Sequence, residues 1–269
     1  MTLLPLSTKT EPPRTIFVQG SSGHLRCFKC LMGRGRTALG WYSQRAWRSL
    51  RKRVACGSRT ADPRAVCYND LYRGIGERAL QSGLPGERVP ELTLYDLQGH
   101  PQLLSSSWEK RPALLVTMSL SCGRTRRNAC ALRRLARRFE RHINTVVIYV
   151  VEAHPTNAPS PYTEALWMTP KNEMAGIYCV QPQTLEQRID HARQLQRRFR
   201  FSNSMLIDAL DNRGWQTFGS APNVAMLIRP DGRIANKQGW FAPKAMTSVI
   251  TALLKNPATA ANPKTSLGD

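Results

Sequence analysis

The sequence predicts an α/β fold built on an open, largely parallel sheet, and three features predict it. Residues 111–155 read RPALLVTMSLSCGRTRRNACALRRLARRFERHINTVVIYVVEAHP, an apolar strand, an amphipathic helix and a second apolar strand, which together make a βαβ unit. Residues 220–238 read as two strands joined by the tight turn Pro230-Asp231-Gly232-Arg233. A helix at 243–254, with Pro243 in its first turn, closes the ordered part.

In chain order, the texture turns regular at Tyr68, where Leu71, Ile75, Ala79 and Leu80 recur at helical spacing and Gly86 follows as a stop. Residues 92–96 and 102–105 are short strands separated by Gln98-Gly99-His100-Pro101, a hairpin signal. Residues 113–120 form the first central strand. The helix after Cys122 carries Leu132, Leu135, Ala136 and Phe139 at i, i+3, i+4 and i+7, with arginines around the rest. Residues 144–151 are almost all apolar and β-branched, as befits a strand buried on both faces. A second helix starts at Thr184, its N-cap, with Gln187 completing a capping box. Residues 205–207 are a short strand, 208–218 a polar stretch with a helical turn, and 220–228 a strand entered through Pro222.

This order, hairpin then β-α-β, α, β, β-β-α, is that of an α/β thioredoxin-like fold with a peroxiredoxin-type N-terminal β-hairpin. The expected organisation is a basic, disordered extension at 1–67, the thioredoxin-like domain at 68–256 and a flexible tail at 257–269.

The formal charge of +21 is distributed unevenly, with 14 Lys+Arg against 3 Asp+Glu in residues 1–75. That segment carries half the charge and would contact nucleic acid or anionic surfaces weakly and without sequence preference. Within it, residues 38–54 place Trp41, Tyr42, Trp47, Leu50 and Val54 among Arg and Lys, and Cys27 and Cys30 make a C-x-x-C without a second close pair for zinc or a preceding strand for redox work. No run approaches the roughly 18 apolar residues of a membrane span. Seven cysteines, an odd number, fit a reducing compartment better than a secreted disulfide scaffold, so the expected location is cytoplasmic, with an organelle transit peptide the lesser alternative. No cofactor or metal is expected, and a homodimer is left open.

Ligands of open α/β sheets gather at the carboxyl ends of the strands, which draws Cys122, Glu152 and His154 to one place. A thiol at a helix N-terminus, flanked by Arg124, Arg126 and Arg127, is expected to ionise easily. Glu152 and His154, one residue apart in extended backbone, share a side and can relay a proton. Cys130, two helical turns on, is out of reach of Cys122, and Cys179 is the candidate resolving thiol within the chain.

The stretch SLSCGRTR, the helix, VVIYVVEAHP and QPQTLEQR resemble the iodothyronine deiodinase family over roughly residues 68–254. The resemblance implies a thioredoxin fold in which Cys122 stands where the family carries selenocysteine, Ser119 is the hydroxyl three residues before it, and Glu152 and His154 are the acid and histidine of the site. It places Pro222 at the cis-proline facing the nucleophile. Leu120, Gly123, Pro182 and Val224 depart from the family's pattern, which moves the expected substrate away from iodothyronines while leaving the thiol chemistry.

The expected function is a deiodinase-like thiol oxidoreductase acting on a small molecule or a disulfide, with an external thiol reductant of thioredoxin or glutathione type. Arg124, Arg126 and Pro222 are the expected substrate contacts. Ser119-Leu-Ser-Cys122 also approximates the T-x-x-C of peroxiredoxins, making peroxide reduction the alternative. A non-catalytic binding protein with a basic arm is the alternative of another class.

Overall fold

A computed structural model describes residues 68–255. The basic segment, with its Cys27/Cys30 pair and the stretch at 38–54, and the tail from 257 lie outside the described residues.

In order, the elements are α1 (Tyr68–Ala79), β1 (Thr93–Tyr95), β2 (Pro101–Leu103), a 3₁₀ turn (Leu104–Ser107), β3 (Ala113–Met118), α2 (Gly123–Phe139), β4 (Asn144–Tyr149), α3 (Pro170–Met174), α4 (Leu185–Phe199), β5 (Ser204–Ile207), α5 (Arg213–Thr217), β6 (Ala225–Ile228), β7 (Ile234–Gln238) and α6 (Pro243–Lys255). One sheet runs β2-β1-β5-β4-β3-β6-β7. Its centre, β5-β4-β3, is parallel, and β6 and β7 join it antiparallel. The β1-β2 hairpin attaches to β5 through Tyr95 opposite Ile207. This is the thioredoxin-like α/β arrangement, extended by an N-terminal hairpin and by the strand β5.

The central strands are buried on both faces because their side chains alternate between two cores. Leu114, Val116 and Met118 of β3 join Leu132 and Leu135 of α2, Ile189 and Leu195 of α4, and Met246 and Ile250 of α6 on one side. Ala113 and Leu115 point the other way, onto Ile75 and Ala79 of α1 and onto Leu104, Trp108 and Phe218. Each fully buried Leu or Ile stabilises by about 1.5–3 kcal/mol relative to exposure, so the largely apolar runs of β3 and β4 favour a central position for both. Among the described residues no helix is long and apolar enough to cross a membrane.

Both central strands end two residues short of their apolar runs, because the chain leaves the ladder to form the functional loops. The cap of α4 is as expected at Thr184, whose Oγ1 accepts the Gln187 N–H at 3.3 Å. The Gln187 side chain reaches the Gln183 amide, one residue further out than a capping box requires. The short helix α3 is an addition to the elements read from the sequence. Its signal was Thr169-Pro170, an N-cap whose Oγ1 accepts the Asn172 N–H at 3.2 Å with proline in the first turn.

Candidate functional site

Cys122 is the N-cap of α2, four residues after the end of β3, and is 2 % exposed. Its sulfur is met by the Thr125 amide and hydroxyl, the Arg124 amide and the field of Arg126, all of which favour the thiolate. Burial outweighs them and pushes the thiol above its ordinary value. The expected easily ionised cysteine is therefore corrected: the helix terminus and cations are in place, but in this closed arrangement water does not reach the sulfur.

The arginines are committed as well. Arg126 gives Nη1 to the carbonyls of Leu120 and Ser121, each at 3.0 Å, and Nη2 to Asn172 Oδ1 at 2.5 Å. Three of its five N–H donors are thus spent holding the loop before Cys122. Arg124 turns outward and stacks over Trp240 at 4.3 Å and Tyr72 at 5.5 Å. Both are expected substrate contacts from the sequence. Here they brace the α2 terminus, Arg126 from the loop side and Arg124 against aromatic residues of α1 and the β7-α6 turn.

Glu152 sits one turn of chain beyond β4 and has no exposed surface. Its Oε2 accepts the Ser121 N–H at 2.9 Å and the Ser121 hydroxyl; its Oε1 accepts the Tyr149 hydroxyl and lies 3.3 Å from His191 Nδ1. Tyr149 Oη in turn accepts the Leu120 N–H at 3.2 Å. One carboxylate thus fastens both residues that precede Cys122. Burial raises the Glu152 pKa, but hydrogen bonds from His191, Ser121 and Tyr149 together with the His191 charge hold it below the usual carboxylate value. The same burial and the adjacent carboxylate push the Tyr149 phenol well up, keeping it a neutral donor.

His154 is 2 % exposed, and its amide donates to Ser121 Oγ at 3.0 Å. Its ring pairs with the Trp167 carbonyl through Nδ1 at 3.0 Å and meets the Trp167 ring edge-on at 4.4 Å between centroids. Burial lowers its pKa to about 4, so the imidazole is neutral at physiological pH. Glu152 and His154 both contact Ser121, the first through its carboxylate and the second through its amide, while their other side-chain partners are Tyr149 and His191 for Glu152 and the Trp167 carbonyl for His154, not the sulfur. Ser119 is 0 % exposed: its amide donates to Thr125 Oγ1 at 3.4 Å, and its hydroxyl has no hydrogen-bond partner among the described residues.

Two further expectations are altered. Cys179 is buried, and its carbonyl accepts the Thr156 N–H at 2.8 Å in a bridge to the segment after Glu152. Burial pushes its thiol well up, and it is a free thiol like Cys122 and Cys130. The Pro222 peptide is trans, as are all those of the described residues. The turn it opens closes instead through Thr117, whose Oγ1 donates to the Ala221 carbonyl and accepts the Val224 N–H, with Asn223 reaching the Thr117 carbonyl.

Sequence reasoning missed Ser121, Tyr149, Asn172 and His191. Ser121 and Tyr149 carried a signal, since each lies within three residues of a chosen site residue. His191, on α4, and Asn172, on α3, reach the site only through the tertiary fold. Asn172 is 0 % exposed and gives its Nδ2 to the Ser121 carbonyl at 2.9 Å, so α3 is pinned over the loop that carries Cys122.

Comparison with solved structures finds likeness to a putative protein disulfide isomerase from Bacteroides thetaiotaomicron, at 12 % identity and TM-score 0.46, covering 66 % of this chain and 96 % of that one. It also finds peroxidoxin BcpB from Mycobacterium tuberculosis, at 17 % identity and TM-score 0.42, covering 63 % and 97 %. No curated protein matches. The family model for iodothyronine deiodinase matches residues 58–249, well over half of the chain, and the chain belongs to the iodothyronine deiodinase family.

Proposed function

We propose that this protein is a thiol-dependent oxidoreductase in which Cys122 is the nucleophile. The observation that carries the reading is the pairing of an N-cap thiol with a buried carboxylate that holds the preceding residue, Ser121, through both its amide and its hydroxyl. In the reaction the Cys122 thiolate attacks the electrophilic atom of a disulfide, peroxide or carbon–iodine bond. A bond forms from sulfur to that atom, and the broken bond's electron pair departs on the leaving group, which takes up a proton. Two equivalents of an external thiol then release the captured atom in reduced form, restore Cys122 and leave as their own disulfide.

Glu152 serves this cycle as an ionised acceptor that positions the Ser121 turn, with the neutral Tyr149 phenol donating to the same carboxylate. His191 is the one member of the set that reaches toward solvent, with 13 % of its side chain exposed against none for Glu152, and so links the buried carboxylate to the surface of α4. The resolving thiol is external in this reading, because Cys179 is packed into the core. Ser119 supplies a hydroxyl three residues before the thiol with its hydrogen-bonding capacity unspent. That feature favours peroxide reduction as the second reading, since such a hydroxyl can accept or donate to a peroxide oxygen.

The deciding experiment compares hydrogen peroxide, a small disulfide and an iodinated phenol side by side, with dithiothreitol as reductant, for wild type and Cys122→Ser. Turnover of one class that vanishes in the variant supports the proposal and names the substrate class. Full turnover in Cys122→Ser overturns it, and no turnover with a Cys122 that resists alkylation at every pH favours the non-catalytic reading.

A further inference from the structure

Beyond the thiol site, the outer surface of α2 and α4 carries a charge that the proposed reaction does not use. All seven basic residues of α2 are arginine and the helix contains no acidic residue; the four basic residues of α4 are arginine too. Arg127, Arg134 and Arg138 recur at i, i+7 and i+11, on the side of α2 turned away from the core residues Ala129, Leu132 and Ala136. Arg137 stands beside them, and Arg197 and Arg198 occupy the last turn of α4.

The two helices pack on the same face of the sheet, and they touch: Arg133 Nη1 donates to the Phe199 carbonyl at 3.1 Å. The arginines of both therefore form one surface. From Arg127 to Arg138 it runs about 16 Å along the helix at about 1.5 Å per residue, and the neighbouring axis adds roughly 8–10 Å in width. Arg127, Arg134, Arg137, Arg138, Arg197 and Arg198 are all exposed, and none forms an ion pair with another described residue. Nearby acids neutralise little of the surface: Asp190 is already paired with Arg193 at 3.0 Å, leaving Glu186 at the far end of α4 and Glu140 just past α2.

We infer that the α2-α4 face is a docking surface for the sugar-phosphate backbone of nucleic acid. Three observations favour that partner. A stripe made entirely of arginine presents planar forks that bind phosphate oxygens in pairs, where lysine would offer point charges. The long axis of the patch matches a run of several phosphates, which a single small anion would not need. The large exposed apolar side chains of the described residues, Leu166, Met174 and Tyr178 among them, lie on neither helix, whereas a lipid surface is usually gripped by apolar side chains beside the basic ones. Binding would track the phosphates and carry no base readout.

The test uses the full chain and a 24-base-pair duplex of mixed sequence, titrated at several salt concentrations. The comparison variant combines Arg134→Gln, Arg137→Gln, Arg138→Gln and Arg197→Gln, none of which touches the thiol site. A control neutralises Arg45, Arg48, Arg51 and Arg53 of the basic N-terminal segment. Each phosphate contact contributes about 0.9 to the slope of log K against log salt, so the helix variant is expected to lose about 3 to 4 units of slope and at least tenfold in affinity near physiological salt. Its unfolding midpoint and the alkylation rate of Cys122 serve as checks that the fold is intact. Wild-type affinity and slope in the helix variant, binding lost only in the N-terminal control, or binding to phosphatidylserine vesicles but not to the duplex would each overturn the inference.

Discussion

His191 Nδ1 lies 3.3 Å from Glu152 Oε1, a contact that links the middle of α4 to a carboxylate with no exposed surface. It makes the loop carrying the thiol depend on a helix some seventy residues further along the chain. Because the Glu152 pKa is held below its ordinary value, the ionised form stabilises the fold. That contribution is complete above the carboxylate's unfolded pKa and is lost as pH falls through the folded one.

His191→Ala removes one of the groups that hold this pKa down. The expected result is a loss of about 1–3 kcal/mol at neutral pH, the range for leaving a buried charged group short of a partner, with the acid unfolding transition moved to higher pH. Urea titrations between about pH 2 and 7 read both effects. An acid transition at the wild-type pH would show that Ser121 and Tyr149 suffice and that His191 is only a neighbour.

His154 gives a separate pH dependence in a higher window. Burial, first among the causes, lowers its pKa to about 4 from an ordinary 6.5; the Trp167 carbonyl opposes the shift without cancelling it. The unfolded chain therefore binds the extra proton between those values, and stability falls as pH drops from 6.5 toward 4. At about 1.4 kcal/mol per pKa unit the effect is about 3 kcal/mol. His154→Gln should lose this slope between pH 4 and 6.5 even though it is less stable at neutral pH. A variant that keeps the wild-type slope there would assign it to another group.

Asn172 closes the site mechanically. Its amide joins the Ser121 carbonyl to the Arg126 guanidinium and so holds α3 over the Cys122 turn. In Asn172→Ala both bonds are lost and α3 keeps few ties to the loop. Cys122 is then expected to react with iodoacetamide about tenfold faster at fixed pH, followed by peptide mass mapping to separate it from the other cysteines. An unchanged rate would mean that α3 is not what shields the sulfur.

How far the sequence revealed this site follows from the physics of each group. The sheet was readable because Leu114 to Met118 is apolar except for Thr117 and Val146 to Tyr149 is apolar throughout, a pattern that a doubly covered strand supports. Cys122, Glu152 and His154 were readable because strand ends have fixed roles in such sheets. The state of the thiol was not. A helix N-terminus and three arginines predict a low pKa, whereas burial, which decides the outcome, depends on how α3 and Trp167 fold over the turn. Likewise Arg126 looked like a substrate ligand until the carbonyls of Leu120 and Ser121 took up its donors. His191 lay outside any local pattern, as do most partners supplied by a distant helix.

The aromatic support of the site rests on a close approach of two glycines, and this can be tested by substitution within one region. A Cβ on Gly239 would lie 2.1 Å from the Gly76 carbonyl oxygen, so the end of β7 and α1 meet backbone to backbone. The same approach lets Trp240 Nε1 donate to the Tyr72 carbonyl at 2.9 Å and places both rings beneath Arg124. Gly239→Ala must push α1 away, at a cost of about 1–3 kcal/mol by the usual measure of overpacking. Gly74, also on α1, is different: a Cβ there meets only the mobile end of Arg78 at 3.3 Å. Gly74→Ala should therefore stabilise the helix by up to about 1 kcal/mol. Opposite signs in the two urea midpoints, with a tryptophan fluorescence change confined to Gly239→Ala, are the expected result; a neutral Gly239→Ala would show that α1 can shift without cost and is not part of the site's support.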